Sequence, residues 1–180
     1  MNEMIKIYDN LIPKVIEDKI EDFVLHANIP IFCYKNNVTG GNQEKFLPGI
    51  AHTFWTKENQ VSEHSSFLMQ PLYIFNYLQN INVYQLYTSR VFITFPLKNT
   101  KINHIHNDQP FPHFVCIYYI NNTDGDTIFY NEQREEIKRV SPKRGRIVFF
   151  NGNIKHSGSS PTKNTRAIIN YNFYGESYEK

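Results

Sequence analysis

The spacing of apolar residues in the first half of the chain predicts two helices. From residue 13 to residue 26, valine, isoleucine and phenylalanine recur at helical spacing, while charged residues take the opposite face. Pro13 suits the first position of this helix, because its missing N–H has no partner there. Residues 65–79 carry a second apolar face, with Pro71 near its start. The first helix is expected to pack against a sheet.

After the second helix the pattern alternates between apolar and polar positions, which is typical of strands. Residues 83–95 alternate and are rich in β-branched and aromatic side chains. Residues 114–121 are apolar throughout, so we expect this strand to be covered on both faces. The full set of predicted strands is 31–35, 51–56, 83–95, 104–108, 114–121, 127–131, 136–140, 146–150 and 166–174.

This order of elements places the chain in the α+β class. Helices come first and short strands separated by turns come later, which predicts a double-stranded β-helix, or jelly roll, flanked by N-terminal helices. At 180 residues the chain is expected to form one domain, 1–180. Residues 1–90 would supply helical support and outer strands, and residues 91–180 the jelly-roll core with the candidate site.

Composition narrows the classes of function. The formal net charge of +2 is too small to indicate a nucleic-acid or membrane partner. Two cysteines, Cys33 and Cys116, do not indicate a disulfide framework. The first ten residues lack a signal pattern, and no apolar run approaches the length of a membrane span. We therefore predict a soluble, cytoplasmic protein, and its oligomeric state stays open.

The strongest candidate chemistry lies at residues 104–108. In an extended strand alternate side chains share a face, so His104, His106 and Asp108 would point the same way. His156, fifty residues after His106, is the best candidate for a third ligand. Two histidines and one carboxylate with open positions opposite suit non-haem Fe(II) oxygen chemistry. A cupin-like site that uses His104 in place of Asp108 is the alternative.

Arg166 begins the last predicted strand, ten residues after His156. If Arg166 points inward, Ile168, Asn170 and Asn172 do so as well, because the period of a strand is two. A buried arginine is costly unless it meets an anion. A small bound carboxylate matches the fork of a guanidinium, so a carboxylate ligand is expected here.

From Phe95 onward, the chain resembles the Fe(II)/2-oxoglutarate-dependent dioxygenases, particularly the prolyl-4-hydroxylase-like branch. The matching segments follow the order and spacing of that family. They are His106-Asn107-Asp108, Cys116-Ile117-Tyr118-Tyr119-Ile120-Asn121, Gly125-Asp126-Thr127-Ile128-Phe129, Ser141-Pro142-Lys143, Arg146-Ile147-Val148-Phe149-Phe150, His156-Ser157-Gly158 and Arg166. The chain departs from the family at Phe95-Pro96, where Tyr-Pro is common, and at Asn172, where some relatives carry tryptophan.

The resemblance implies a role for each matched residue. Iron would be held by three side chains, which are His106, Asp108 and His156. Arg166 would bind the far carboxylate of 2-oxoglutarate, Tyr119 would hydrogen-bond the same cosubstrate, and Thr127 would line its pocket. The implied cofactor is Fe(II), with 2-oxoglutarate and O2 as cosubstrates, and a role for ascorbate stays open.

The resemblance also implies the reaction, which is hydroxylation of a C–H bond with release of succinate and CO2. A prolyl or other peptide side chain is the first expectation for the substrate. Two alternatives remain, the same chemistry on a free amino acid or small metabolite, and a non-catalytic cupin-like metal-binding protein. Nucleic-acid demethylation is disfavoured, because the last strand lacks the second arginine of the pattern Arg-x-Asn-x-x-x-x-Arg.

The surroundings of this site are less clearly marked in the sequence. Residues 98–103 and 36–49 are candidates for the mouth of the pocket. His113 is expected to lie in an exposed loop, while His52 and His64 have no partner pattern that indicates a site.

Overall fold

A computed structural model describes residues 5–26, 29–33, 49–57 and 59–177. Within these ranges the helices are α1 (Lys14–Leu25), α2 (Ser65–Leu68) and α3 (Gln70–Gln79). The strands are β1 (Ile5–Tyr8), β2 (Phe32–Cys33), β3 (Gly49–Thr56), β4 (Asn59–Gln60), β5 (Ile81–Thr94), β6 (Phe114–Tyr119), β7 (Thr127–Tyr130), β8 (Glu136–Val140), β9 (Ile147–Asn151), β10 (Lys155–Gly158) and β11 (Arg166–Ser177).

The described strands form two antiparallel sheets. The larger has the order β1-β9-β6-β11-β5-β3-β2, with β4 paired to β3, and the smaller has the order β10-β7-β8. Strands that are distant in the chain are neighbours in the sheet, as jelly-roll connections require. The predicted α+β class and double-stranded β-helix core are confirmed.

Two hydrophobic clusters lie on opposite faces of the larger sheet. Cys116 and Tyr118 belong to the cluster that includes residues of the helices. Val115, Ile117 and Tyr119 belong to the second cluster, together with residues of the smaller sheet. Strand β6 is therefore covered on both faces, as its apolar sequence predicts.

The second predicted helix is in fact two helices. Residues 65–79 split at Met69 into α2 and α3, and Pro71 lies at the start of α3. Proline has no N–H, so the hydrogen bond that would continue α2 through this position cannot form. The first predicted helix is confirmed as α1.

The predicted strand 104–108 is wrong as a regular element. His106 forms an isolated bridge with His156, and the chain then bends. Pro110 and Pro112 have no N–H to donate to a ladder, so pairing cannot continue along this edge. Of the two candidate mouth segments, residues 36–48 lie outside the described part of the chain. No described helix is long and apolar enough to cross a membrane.

Helix α1 and strand β1 are joined to the β8–β9 connection by charged groups. Arg144 forms ion pairs with Glu17, Asp18 and Glu21 of α1. Just after β1, the Asp9 carboxylate accepts hydrogen bonds from Arg146 Nε and Nη2 at 2.8 and 2.9 Å. These contacts hold the N-terminal elements against the edge of the sheet.

Asp9 gives a test of this attachment. The hydrogen bond from Arg146, opposed in part by burial and assisted by Lys143, lowers the pKa of Asp9 from 3.8 to about 2. Its contribution to stability is therefore present above pH 3.8 and is lost as pH falls towards 2. We expect Asp9→Asn to lower the melting temperature at pH 7 by about 2–4 °C, and by progressively less below pH 4. Thermal unfolding at a series of pH values, with Asp22→Asn as the control, measures this change in melting temperature. An equal decrease in melting temperature at all pH values would contradict the prediction.

Candidate metal centre and its pocket

Three side chains from two separated segments meet at one point. The ligand atoms of His106, Asp108 and His156 all lie within 4.8 Å of one another. Two backbone hydrogen bonds of 3.0 Å, one in each direction, join His106 to His156 and bring the segments together. His104 is exposed and is not part of this group. The geometry thus brings together the three side chains that were predicted as iron ligands.

Both imidazoles present the correct nitrogen to this point. His106 Nδ1 lies 2.9 Å from the carbonyl oxygen of His104, and His156 Nδ1 lies 3.2 Å from that of Ile154. A carbonyl can only accept, so each Nδ1 carries a proton and each Nε2 offers a lone pair. The Nε2 atoms lie 3.5 and 3.8 Å from Asp108 Oδ1. This is the tautomer and orientation that a metal-binding histidine requires.

The two oxygens of the Asp108 carboxylate have different partners. Oδ1 faces the two imidazoles, whereas Oδ2 accepts a hydrogen bond of 2.9 Å from Asn170 Nδ2. Asn172 Nδ2 in turn donates to Asn170 Oδ1 at 3.1 Å, which fixes the orientation of that amide. The carboxylate is therefore held with one oxygen available for an ion.

The protonation states also fit a metal. Burial lowers the pKa of His156 to about 4. Burial favours the neutral form of Asp108 as well, yet its contacts with the imidazoles hold its pKa well below the usual range. For His106 burial lowers the pKa, but the Asp108 carboxylate outweighs burial and leaves the pKa raised. A carboxylate beside two imidazoles is a donor set that suits Fe(II), and metal binding requires that neither Nε2 carries a proton.

Arg166 is the second charged group of the pocket. Its side chain is buried, Nε donates to the Gly125 carbonyl at 2.6 Å, and Nη2 donates to Thr127 Oγ1 at 3.0 Å. Among the described residues no carboxylate oxygen forms an ion pair with it, and burial lowers the pKa of its guanidinium. A buried cation without an anion is unfavourable. The pocket is thus suited to a ligand that brings a carboxylate.

Tyr119 and Thr127 surround this arginine. The Tyr119 hydroxyl donates to Thr127 Oγ1 at 2.6 Å, and the Tyr119 ring lies 5.7 Å from the Arg166 guanidinium carbon. Thr127 Oγ1 thereby accepts two hydrogen bonds, which leaves its own proton to donate to a ligand. Thr127 lines the pocket. The direct bond from Tyr119 to the cosubstrate stays a prediction.

One pocket contains both the metal cluster and Arg166. It encloses about 730 Å³, including the open solvent at its mouth. Ile117 and Ile168 supply apolar wall, and Asn103 lines the pocket from the segment expected at the mouth. Asn170 also lines the pocket, whereas Asn172 is buried behind it.

The sequence analysis did not predict the positions of two residues near the site. Arg90 lines the pocket from β5. Its position as the single cation of an alternating strand is the signal that could have identified it. His113 was expected to be exposed, but it is buried because Gly152 leaves room for its ring. A Cβ on Gly152 would lie 2.2 Å from the ring, so the two positions depend on each other. His52, for which the sequence indicated no site, is buried against Pro30 and Ser62 and lies outside the pocket.

The contact between Asn170 and Asp108 predicts the effect of a substitution. We expect Asn170→Ala to weaken Fe(II) binding by about 10- to 100-fold, because the carboxylate loses the donor that orients it. Anaerobic titration with Fe(II) measures the affinity, and Asn153→Ala in an exposed turn is the control. An unchanged Fe(II) affinity in Asn170→Ala would show that packing alone orients Asp108.

Comparison with known protein families identifies the second half of the chain. A family model described as the 2OG-Fe(II) oxygenase superfamily matches residues 98–174. This range contains the three clustered side chains and Arg166. A search of curated protein sequences found no significant match.

Solved structures share the fold over nearly the whole chain. A 2OG-Fe(II) oxygenase family oxidoreductase from Burkholderia pseudomallei has a TM-score of 0.71 at 11% identity, covering 94% of this chain and 84% of that one. A prolyl-4-hydroxylase from Pseudomonas putida has a TM-score of 0.62 at 12% identity, covering 97% and 94%. A prolyl hydroxylase from Trichoplax adhaerens has a TM-score of 0.67 at 13% identity, covering 96% and 84%.

At these identities the structural likeness establishes the fold, and the family model matches the segment that contains the clustered side chains. The resemblance seen in the sequence is therefore confirmed at the level of the superfamily. Residues 98–174, which contain the clustered His106, Asp108 and His156, match the 2OG-Fe(II) oxygenase superfamily, a class of oxidoreductases that use Fe(II) and 2-oxoglutarate.

Proposed function

We propose that this protein is a hydroxylase that acts on a C–H bond of a prolyl or other peptide side chain and releases succinate and CO2. One observation carries the proposal. The ligand atoms of His106, Asp108 and His156 converge in the same pocket as a buried arginine, Arg166, that has no carboxylate partner among the described residues.

Each of these residues has a physical role in the proposed reaction. Fe(II), when bound by His106, Asp108 and His156, supplies the activation of O2 that 2-oxoglutarate decarboxylation and C–H hydroxylation require. Arg166 binds the far carboxylate of 2-oxoglutarate, and Thr127 donates a hydrogen bond beside it. The apolar side chains that line the pocket exclude water, which strengthens these charge interactions.

The structural neighbours support two classes of substrate. The Trichoplax enzyme is described in complex with a peptide fragment of a hypoxia inducible factor, which favours a peptide. The epimerase SnoN, at 12% identity and a TM-score of 0.63, is described with Fe3+, alpha ketoglutarate and nogalamycin RO. A free amino acid or small metabolite is therefore the second candidate.

We also infer that residues 1–180 act as one domain. The support is that strands from both halves of the chain share the larger sheet. Strand β5, from the first half, pairs along its length with β11.

The decisive experiment separates binding from turnover. Fe(II) and 2-oxoglutarate are added without oxygen, binding is measured, and succinate is quantified after air is admitted. Stimulation of succinate release by proline-containing peptides, compared with free amino acids, distinguishes the two substrate classes. A protein that binds Fe(II) but neither binds nor consumes 2-oxoglutarate would refute the proposal.

A further inference from the structure

One glycine contacts both ends of the segment 107–113. Gly152 lies in the turn between β9 and β10, shortly before His156. Its carbonyl oxygen accepts a hydrogen bond of 2.9 Å from Asn107 Nδ2, and its N–H donates one of 2.8 Å to the carbonyl oxygen of His113. The segment is therefore bonded at its first and last residues to the turn that leads to a candidate metal ligand.

The His113 ring packs directly against Gly152. A Cβ on this glycine would lie 2.2 to 2.5 Å from three atoms of the ring, so the two residues fit because the glycine has no side chain. The ring is buried, and its Nδ1 donates to the carbonyl oxygen of Phe111 at 2.8 Å. Its Nε2 has no hydrogen-bond partner among the described residues. Because such a buried nitrogen is unfavourable, packing against the turn explains the position of the ring better than any polar contact of Nε2.

The segment depends on these contacts because it has no ladder of its own. It belongs to no helix or strand, and Pro110 and Pro112 lack the N–H that a ladder would need. His106, just before the segment, is fixed by its two backbone hydrogen bonds to His156. Asp108 lies beyond that bridge, so its position relative to His156 depends on how the segment is attached to the neighbouring turn.

Resting on the proposed function, which requires bound Fe(II), we propose that Asn107 and His113 are positioning residues for the metal centre. Their contacts with Gly152 hold the backbone around Asp108 in place, whereas Asn170 orients its carboxylate. A segment that is held before the metal arrives does not have to be ordered by it, and such pre-organisation strengthens binding. Loosening the segment is therefore expected to weaken Fe(II) binding without removing a ligand.

Removal of the Asn107 amide tests the first contact. Titration under anaerobic conditions, without 2-oxoglutarate, measures the affinity for Fe(II). We expect Asn107→Ala to weaken Fe(II) binding by about 3- to 10-fold, which is the effect of one lost hydrogen bond. Asn107→Gln keeps an amide N–H and is expected to lie between. Gln109→Ala is the matched control, because it removes a hydrogen bond from the same segment to Thr88 and is expected to leave the affinity unchanged.

A second pair of substitutions tests the packing of His113. Gly152 does not have a positive φ, so the ring, rather than the backbone, opposes an alanine at this position. We expect Gly152→Ala to weaken Fe(II) binding by about tenfold or more, because overpacking displaces the ring and with it the segment. In His113→Ala the ring is absent, so the added Gly152→Ala is expected to cause no further loss, and the double-mutant cycle reports the coupling.

Two further measurements separate positioning from general destabilisation. The visible spectrum of bound Co(II) reports the coordination geometry. We expect it to change in Asn107→Ala and Gly152→Ala and to stay unchanged in Gln109→Ala. Thermal unfolding of the metal-free variants identifies a failure to fold. If Gly152→Ala does not fold, the substitutions of the exposed Asn107 decide.

The outcomes separate this inference from the proposed function. An unchanged Fe(II) affinity and Co(II) spectrum in Asn107→Ala, or an equal change in Gln109→Ala, would overturn the role of Asn107. An undiminished loss from Gly152→Ala in the absence of the His113 ring would overturn the role of His113. A protein that binds Fe(II) but does not consume 2-oxoglutarate would refute the hydroxylase proposal, and the Fe(II) affinities would still decide the positioning roles. A protein that binds neither metal would refute both.

Discussion

Asp108→Ala is expected to abolish turnover and to weaken Fe(II) binding by more than about 100-fold. Removal of a group that merely orients a metal ligand weakens metal binding by about 10- to 100-fold, and Asp108 is proposed to be a ligand itself. The substitution also removes the negative charge between His106 and His156, so the two imidazoles are left facing each other. Anaerobic Fe(II) titration and succinate release on admitting air measure the two effects.

The matched control for this substitution is Asp22→Ala, which removes an exposed carboxylate from α1. It is expected to leave both Fe(II) affinity and turnover unchanged. Turnover at the normal rate in Asp108→Ala would remove Asp108 from the ligand set. A cupin-like site that uses His104 would then regain support, although His104 lies outside the cluster.

Arg166→Ala is expected to act on the cosubstrate rather than on the metal. Its guanidinium is buried, and its Nε and one terminal nitrogen are directed to Gly125 and Thr127. Removing a buried partner of a carboxylate costs several kcal/mol, so we expect 2-oxoglutarate to bind about 100- to 1000-fold more weakly. Fe(II) affinity in the absence of 2-oxoglutarate is expected to change little.

Two measurements check this result. The first is the dissociation constant of 2-oxoglutarate with Fe(II) present, compared with the exposed control Arg134→Ala. The second is the rise in melting temperature that 2-oxoglutarate gives, since a ligand that binds the folded state stabilises it by an amount that grows with the logarithm of its affinity. A normal rise in Arg166→Ala would mean that a different residue anchors the cosubstrate.

The sequence predicted the features that depend on local periodicity. Alternation in the last strand placed Arg166, Ile168 and Asn170 on one face, and all three line the pocket. Residues 114–121 were expected to be covered on both faces, and Tyr118 and Tyr119 do belong to the two clusters on opposite faces of the sheet. These predictions follow because the direction of a side chain in a strand depends on its position in the chain alone.

Features that depend on contacts between distant segments were not predictable in this way. The pairing of Arg90 with Asn170 requires the register of two strands that lie eighty residues apart in the chain. The burial of His113 depends on Gly152, which lies in another turn. The bridge between His106 and His156 replaces the strand that alternation suggested, because the nearby prolines stop the ladder.

The two oxygens of the Asp108 carboxylate have different partners, and this difference bears on metal selectivity. Because Oδ2 accepts a hydrogen bond from Asn170 Nδ2 while Oδ1 faces the imidazoles, we expect the carboxylate to bind an ion through Oδ1. Calcium favours six to eight oxygen ligands and often chelates both atoms of a carboxylate, whereas imidazole nitrogen suits iron and its transition-metal neighbours. We therefore expect this donor set to bind calcium more weakly than Fe(II).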